Sequence, residues 1–288
     1  KLQRHLPRAR FAPRHSGLVL LAVPLLMACQ NWDDHDRSGR HIARDAGANM
    51  LDSCDSNQLG AVLFTYGDND TFPLWYLQSV EKHRPSVRVE TIGLMGSSRF
   101  ADLLEESIRI GRPAYFTHYA YNQYHTYFDG HLALVGTVYK YCDDPADSVD
   151  ADACYRHFME TMSWHSVEGV HIDEVGCKFL EQYWRDAVLY AENNNSYGQG
   201  CYARTVEVLD KTLAEIPLEA IQDVQLIYRI GQAYGTAQAY GRQEEVIAYL
   251  RRILAEQLAY YHSMPPRRQA VMPYTIGPRE AIADSLGL

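Results

Sequence analysis

Three groups of residues have the types and spacing to do chemistry. The first is Asp68-Asn69-Asp70, placed directly after the apolar run Ala61–Thr65. Two carboxylates in such a loop can hold a divalent ion, and that ion can neutralise a diphosphate leaving group. The same two side chains can instead cap a following helix, where the helix dipole favours negative charge. The second group is Asp33, Asp34, His35, Asp36 and Arg37, inside Asn31–Arg40 (NWDDHDRSGR). Imidazole and carboxylate suit several divalent ions, so this group can join Asp68 and Asp70 in one site. Alternatively, Arg37 and Arg40 pair with the acids in a polar segment at a membrane exit. With Trp75 on the next helix, the candidate binding set is Asp33, Asp34, His35, Asp36, Arg37, Asp68, Asn69, Asp70 and Trp75. The third group is aromatic: His118, Tyr119, Tyr121, Tyr124, His125 and Tyr127 either line a glycan groove or pack as a loop. No metal ligand is assigned and no cofactor is expected. The sequence contains no G-x-S-x-G, P-loop, G-x-G-x-x-G or H-E-x-x-H, which leaves nucleophilic hydrolysis, kinase activity and dinucleotide binding without support.

Positioning these residues requires a strand, a loop and a helix. Ala61–Thr65 has the β-branched and aromatic content of a buried strand, and Gly67 breaks it. Thr71 as cap and Pro73 in the first turn open a helix running to about Lys82. Ligands of open α/β sheets sit beyond the carboxyl ends of strands, where Asp68 and Asp70 fall. His41–Leu51 reads as a preceding helix, with Ile42, Ala46, Met50 and Leu51 on one side. Arg88–Leu94, Pro113–Thr117 and Leu132–Tyr141 read as strands, and Phe100–Ile110 as an amphipathic helix closed by Gly111. This alternation predicts a small three-layer α/β unit with a mostly parallel sheet. The polar stretch Cys142–Cys154 marks a boundary. Beyond it the pattern is all-α: Phe179–Glu192, Tyr202–Glu215, Val224–Tyr240 and Gln243–Tyr261, the last two joined by a turn at Gly241. Two helix pairs recur at roughly forty residues, loosely the tetratricopeptide pattern. The expected domains are 30–142 (α/β), 155–263 (helical) and 264–288 (tail).

The chain has 288 residues, 47% hydrophobic and 22% charged, which is a globular composition. Its net charge of −9 is uneven. The first sixteen residues hold Lys1, Arg4, Arg8, Arg10 and Arg14 and no acid, leaving 22 basic against 36 acidic residues in the rest of the chain. An acidic body argues against nucleic-acid partners. Gly17–Cys29 is an apolar run behind this basic flank, short of the roughly 20 residues of a full span. It fits a signal-peptide core with a lipoprotein-type Cys29, the end of a transmembrane helix, or a buried helix. The first two readings place everything after Cys29 outside the cytoplasm. The six cysteines form no C-x-x-C pair, and Cys142 with Cys154 can form a disulfide in an oxidising compartment.

Asp-x-Asp after a buried strand resembles the metal-binding element of nucleotide-sugar glycosyltransferases. Longer motifs carry a second resemblance: QNWDDHDRSGR (Gln30–Arg40), ARD (Ala43–Asp45), LFTYGDNDTFPLWYLQ (Leu63–Gln78), RVETIGL (Arg88–Leu94), RPAYFT (Arg112–Thr117) and LDKTLAEIP (Leu209–Pro217). Together they resemble the soluble tail of a bacterial multi-spanning membrane-protein family of unassigned function. That family is related to GT-C glycosyltransferases, including a eukaryotic protein O-mannosyltransferase. The resemblance implies that residues 1–29 are a cytoplasmic flank and the end of the last membrane helix, with the remainder periplasmic. It implies a catalytic carboxylate in an early loop of the membrane core, outside this chain, so no catalytic residue is carried over. It also lowers the weight of the metal reading, because GT-C enzymes use lipid-linked donors. The expected role is acceptor or partner binding, to a protein or glycan. The two other readings are a metal-dependent glycan-active enzyme using Asp68 and Asp70, and a lipoprotein module anchored at Cys29.

Overall fold

Five consecutive buried residues, Ala61–Thr65, form β1, the central parallel strand on which the fold is built. In the computed structural model, which describes residues 22, 24–27, 39–128, 130–143, 148–269 and 273–288, His41–Leu288 forms one compact unit. Asp33, Asp34, His35, Asp36 and Arg37 lie outside the described residues, as does most of Gly17–Cys29, of which residues 22 and 24–27 are helical and exposed. Among the described residues no helix is long and apolar enough to cross a membrane.

The unit begins with α1 (Ile42–Asp52), then β1, α2 (Asp68–Tyr76), β2 (Val87–Thr91), α3 (Ser97–Ile110), β3 (Ala114–Phe116), α4 (His118–Tyr124), β4 (Leu132–Val135) and β5 (Val138–Tyr141). The strand order is β2-β1-β3-β5-β4. The first three strands are parallel, and β5 runs antiparallel to both β3 and β4. Leu132–Tyr141 is therefore a hairpin and not the single strand expected from its apolar content. Gly136, at φ +69°, makes the reversal. β2 likewise stops at Thr91, and Ile92–Met95 forms a helical turn.

Both faces of β1 are covered, as a parallel sheet requires. Leu63, with Tyr115 of β3, packs against Leu51, Leu74 and Leu77 from α1, α2 and the π-helical turn after α2. Val62 and Phe64 face Phe100, Leu103 and Leu104 of α3; Phe64 meets Phe100 edge-on at 5.1 Å. α1 and α2 approach closely, because a Cβ on Gly47 would stand 3.1 Å from that of Pro73. Pro73 is inside α2 and not in its first turn, and the helix opens three residues before Thr71. Thr71 instead joins Thr65 and the half-buried Thr91 in a triangle of hydroxyls 2.6–2.7 Å apart, and donates to Gly67 O at 2.6 Å.

The rest is helical: α5 (Ala151–Arg156), α6 (Glu174–Ser196), α7 (Tyr202–Glu215), α8 (Val224–Thr236), α9 (Tyr240–Ser263) and α10 (Pro273–Ser285); α6 to α9 fall where the sequence predicts helices, whereas α5 starts within the stretch read as a polar boundary and α10 within the stretch read as a tail. The turn between α8 and α9 lies at Gln238, φ +60°, and Gly241 is inside α9. Asp173 and Asp223 cap α6 and α8 by accepting amide hydrogen bonds in the first turns. One hydrophobic cluster runs from Phe64 and Phe116 through Leu180 and Trp184 of α6 to Leu250 of α9, so the sheet and the helices share a core. Cys142 and Cys154 are free thiols, facing Lys140 O and Leu134 O respectively.

Polar residues at helical spacing along α1 and just beyond it fasten the two parts. Asp45 holds His165, Asn49 exchanges two hydrogen bonds of 3.2 Å with the backbone of Ser163, and Ser53 Oγ stands 3.2 Å from His157 Nδ1.

Candidate functional site

The loop after β1 and the loop after β3 end on the same edge of the sheet, because the two strands are adjacent and parallel. α6 packs across that edge. A cavity of about 140 Å³ lies between them, lined by Asn69, Asp70, Thr117 and His118 on one side and by Lys178 and Gln182 on the other. A second cavity of about 430 Å³ adjoins it, sharing His118, Asn122, Gln182 and Arg185 and reaching Asp186 and Arg229. Together they form a cleft at the carboxyl ends of the strands, where the α/β topology places ligands.

Asp68 and Asp70 do not act as a pair there. The N-cap of α2 is Gly67, and neither carboxylate caps the helix in the usual way. Asp68 is exposed. Asp70 is buried, and its Oδ2 accepts from the Thr117 hydroxyl and from Tyr66 N at 3.2 Å, tying the β1 loop to the β3 loop. Burial raises the Asp70 pKa, and the Thr117 and Tyr66 bonds oppose that rise. Its Oδ1 is buried without a partner. Trp75 is on the exposed side of α2 beside Phe72, apart from the cleft lining. Of the expected binding residues, the structure therefore brings Asn69 and Asp70 to the cleft. Among the described residues no group of three or more His, Cys, Asp or Glu side chains is placed to hold a metal ion.

The centre of the cleft is a group that spacing does not reveal. His118 Nε2 stands 2.7 Å from Asp186 Oδ1, and Gln182 donates to His118 Nδ1 at 3.0 Å. The amide nitrogen of Gln182 has no acceptor capacity, so Nδ1 accepts and Nε2 carries the proton facing Asp186. Nδ1 is thus hydrogen-bonded, while Nε2 stands at ion-pair distance from Asp186 and, like Asp186 Oδ2, makes no hydrogen bond. Asp186 is fully buried and its pKa is raised by that burial, with His118 the largest opposing influence. Lys178 and Arg185 at the rim are paired with Glu174 at 2.6 Å and Asp223 at 2.7 Å. His118 and Asp186 face each other and the rim cations are paired with neighbouring acids, while Asp70 Oδ1 and Asp186 Oδ2 are left free in the cleft, which suits binding and orientation more than proton transfer. Gln182 and Asp186 are four apart on the predicted helix, and that spacing was the one signal available for them.

The aromatic cluster packs more than it lines. Tyr121 stacks on Tyr139 of β5 at 3.7 Å, His118 meets Tyr139 edge-on, and Tyr124 leans on Phe100 at 5.2 Å; Tyr127 is exposed.

Fold and cleft together define an α/β unit fused to a helical array, with a polar cleft where the parallel strands end against the first long helix. Residues 43–126 match the family model described as TMEM260-associated domain 2. The matched stretch runs from α1 through α4, and so includes the sheet-side wall of the cleft. No curated protein and no solved structure matches the chain.

Proposed function

We propose that this chain is the extracytoplasmic tail of a membrane GT-C-type glycosyltransferase acting in protein O-glycosylation, and that it binds an acceptor or partner while the membrane core does the chemistry. The observation that carries this reading is the family-model match at residues 43–126, which falls within the stretch whose long motifs resemble that membrane-protein family. The cleft agrees with it: His118 faces Asp186, Asp70 is tied to Thr117, and the rim cations are paired with Glu174 and Asp223. The separation of an exposed Asp68 from a buried Asp70 weighs against a metal-dependent enzyme at that loop. In this reading Gly17–Cys29 ends the last membrane helix, the protein sits in the inner membrane, and 41–288 lies in the periplasm. The helices from α6 to α9 then act as tetratricopeptide-like repeats, whose stacking forms surfaces suited to partners.

The test is made in the native host. The reading frame upstream of Lys1 is expected to encode several apolar spans. Removing residues 41–288 is expected to leave the core inserted while acceptor glycosylation falls. Sugar transfer or glycan hydrolysis by 41–288 alone would overturn the proposal.

A further inference from the structure

α2 and the π-helical turn after it point Leu74 and Leu77 into the core and leave their other side to solvent. That side carries Phe72, Trp75, Tyr76 and Val80, each between 38% and 62% exposed. Phe72, Tyr76 and Val80 follow one another at four-residue spacing and so form one stripe. Trp75 lies beside it, with its ring 5.9 Å from that of Phe72. Single exposed apolar side chains are ordinary, but four in helical register form a patch that marks a contact surface. The patch is a ridge, and neither cavity of the cleft is lined by any of the four. The exposed Lys82 follows at its end. The chain enters the unit at that same end: Arg44, in the first turn of α1, pairs with Glu81 at 2.6 Å, and Glu81 directly follows Val80. Residues 30–41 connect α1 to the apolar run Gly17–Cys29, a reach of at most about 40 Å when fully extended.

We propose that the stripe of Phe72, Trp75, Tyr76 and Val80 rests on the surface of a lipid bilayer, the one that holds Gly17–Cys29. Trp and Tyr favour the bilayer interface, where the ring meets acyl chains and its polar tip meets headgroups, and Phe72 and Val80 add purely apolar contact. Lys82 at the end of the stripe suits anionic headgroups, with its stem along the apolar surface. The four side chains of the ridge are uncharged, which excludes a nucleic acid as its partner. The short connection makes the contact intramolecular for an anchored chain, so a face too small to hold a membrane alone becomes a second anchor. Contact through this ridge fixes how the unit, and with it the cleft, is turned relative to the membrane. The inference rests on the reading of Gly17–Cys29 as membrane-embedded and makes no use of glycosyl transfer.

The test uses the whole chain on phosphatidylcholine vesicles containing phosphatidylglycerol, with acyl chains brominated close to the headgroup. Bromine quenches a tryptophan only at contact, and Trp164 and Trp184 are buried. Trp32 is common to the unmutated chain and Trp75→Phe, so the difference between the two reports Trp75. The emission of Trp75 is expected to fall by at least about half, since an interfacial helix face sinks to the depth of the bromines. Combining Phe72→Ser, Trp75→Ser, Tyr76→Ser and Val80→Ser is expected to weaken partition onto the vesicles about tenfold. Combining Tyr240→Ser and Tyr260→Ser, also exposed but on α9, is expected to leave partition unchanged. Equal quenching of the unmutated chain and Trp75→Phe would overturn the inference, as would partition that ignores the four serine substitutions. If the chain binds through Gly17–Cys29 with Trp75 unquenched, the stripe assignment falls and the tail assignment survives. A chain that never reaches the vesicles removes both.

Discussion

Asp45 and His165 are 120 positions apart and meet through both oxygens of one buried carboxylate: Oδ2 accepts from His165 N at 2.8 Å, and Oδ1 lies 2.9 Å from the ring Nδ1. The carboxylate thus orders the segment that precedes α6. The Asp45→Ala variant leaves a backbone N–H without its acceptor, and a loss of about 2–3 kcal/mol is expected from urea unfolding. His165→Ala should cost less, because its ring is 53% exposed and its backbone bond survives.

His118 and Asp186 form the second long-range pair, at the centre of the cleft. Removing His118 leaves Asp186 buried without its nearest polar neighbour. His118→Ala is expected to cost about 3 kcal/mol, and adding Asp186→Leu should recover much of it, since the charge and its desolvation leave together. A double-mutant cycle by urea unfolding measures the coupling. Additive losses would show that the pair is independent in energy despite its distance.

His157 sets the acid response. Its ring is buried, with Nδ1 3.2 Å from Ser53 Oγ and Nε2 3.1 Å from Tyr183 OH, and burial pushes its pKa down to about 3. The unfolded chain takes up this proton near 6.5, so the folded state loses stability as pH falls from 6.5 toward 3. The slope approaches about 1.4 kcal/mol per pH unit from this group. Asp70 and Asp186, whose pKa values are raised, act with the opposite sign. Comparing melting temperatures of His157→Gln and the unmutated protein between pH 7 and pH 4 isolates the histidine: the unmutated protein should fall more steeply.

Two glycines should respond in opposite directions. Gly136 turns the β4–β5 hairpin at φ +69°, and a Cβ there would stand 2.5 Å from Ser53 Oγ and 2.7 Å from the His157 ring. Gly136→Ala is expected to cost more than about 2 kcal/mol. Gly241 is inside α9 with nothing within 4 Å of a built Cβ, so Gly241→Ala should stabilise by about 0.5–1 kcal/mol. Thermal unfolding of both reads the difference.

The sequence by itself determined the elements whose burial is periodic or continuous. Ala61–Thr65 could only be a covered strand, Tyr202–Glu215 could only be an amphipathic helix, and the change from alternating strands and helices to helices alone is visible in local pattern. It also placed Asp70 at the carboxyl end of β1. Local pattern is silent about pairing between distant segments. Leu132–Tyr141 is mostly apolar, so its periodicity did not mark the hairpin that Gly136 makes. Thr71 and Pro73 look like a helix start, but the hydroxyl triangle with Thr65 and Thr91 holds Thr71 one turn inside α2. Which carboxylate is buried was decided by Thr117 arriving from β3, and which histidine enters the cleft by α6 crossing the sheet edge with Gln182 and Asp186. Burial of polar groups is tolerated only where partners arrive from elsewhere in the chain, and those arrivals are a property of the packed structure alone.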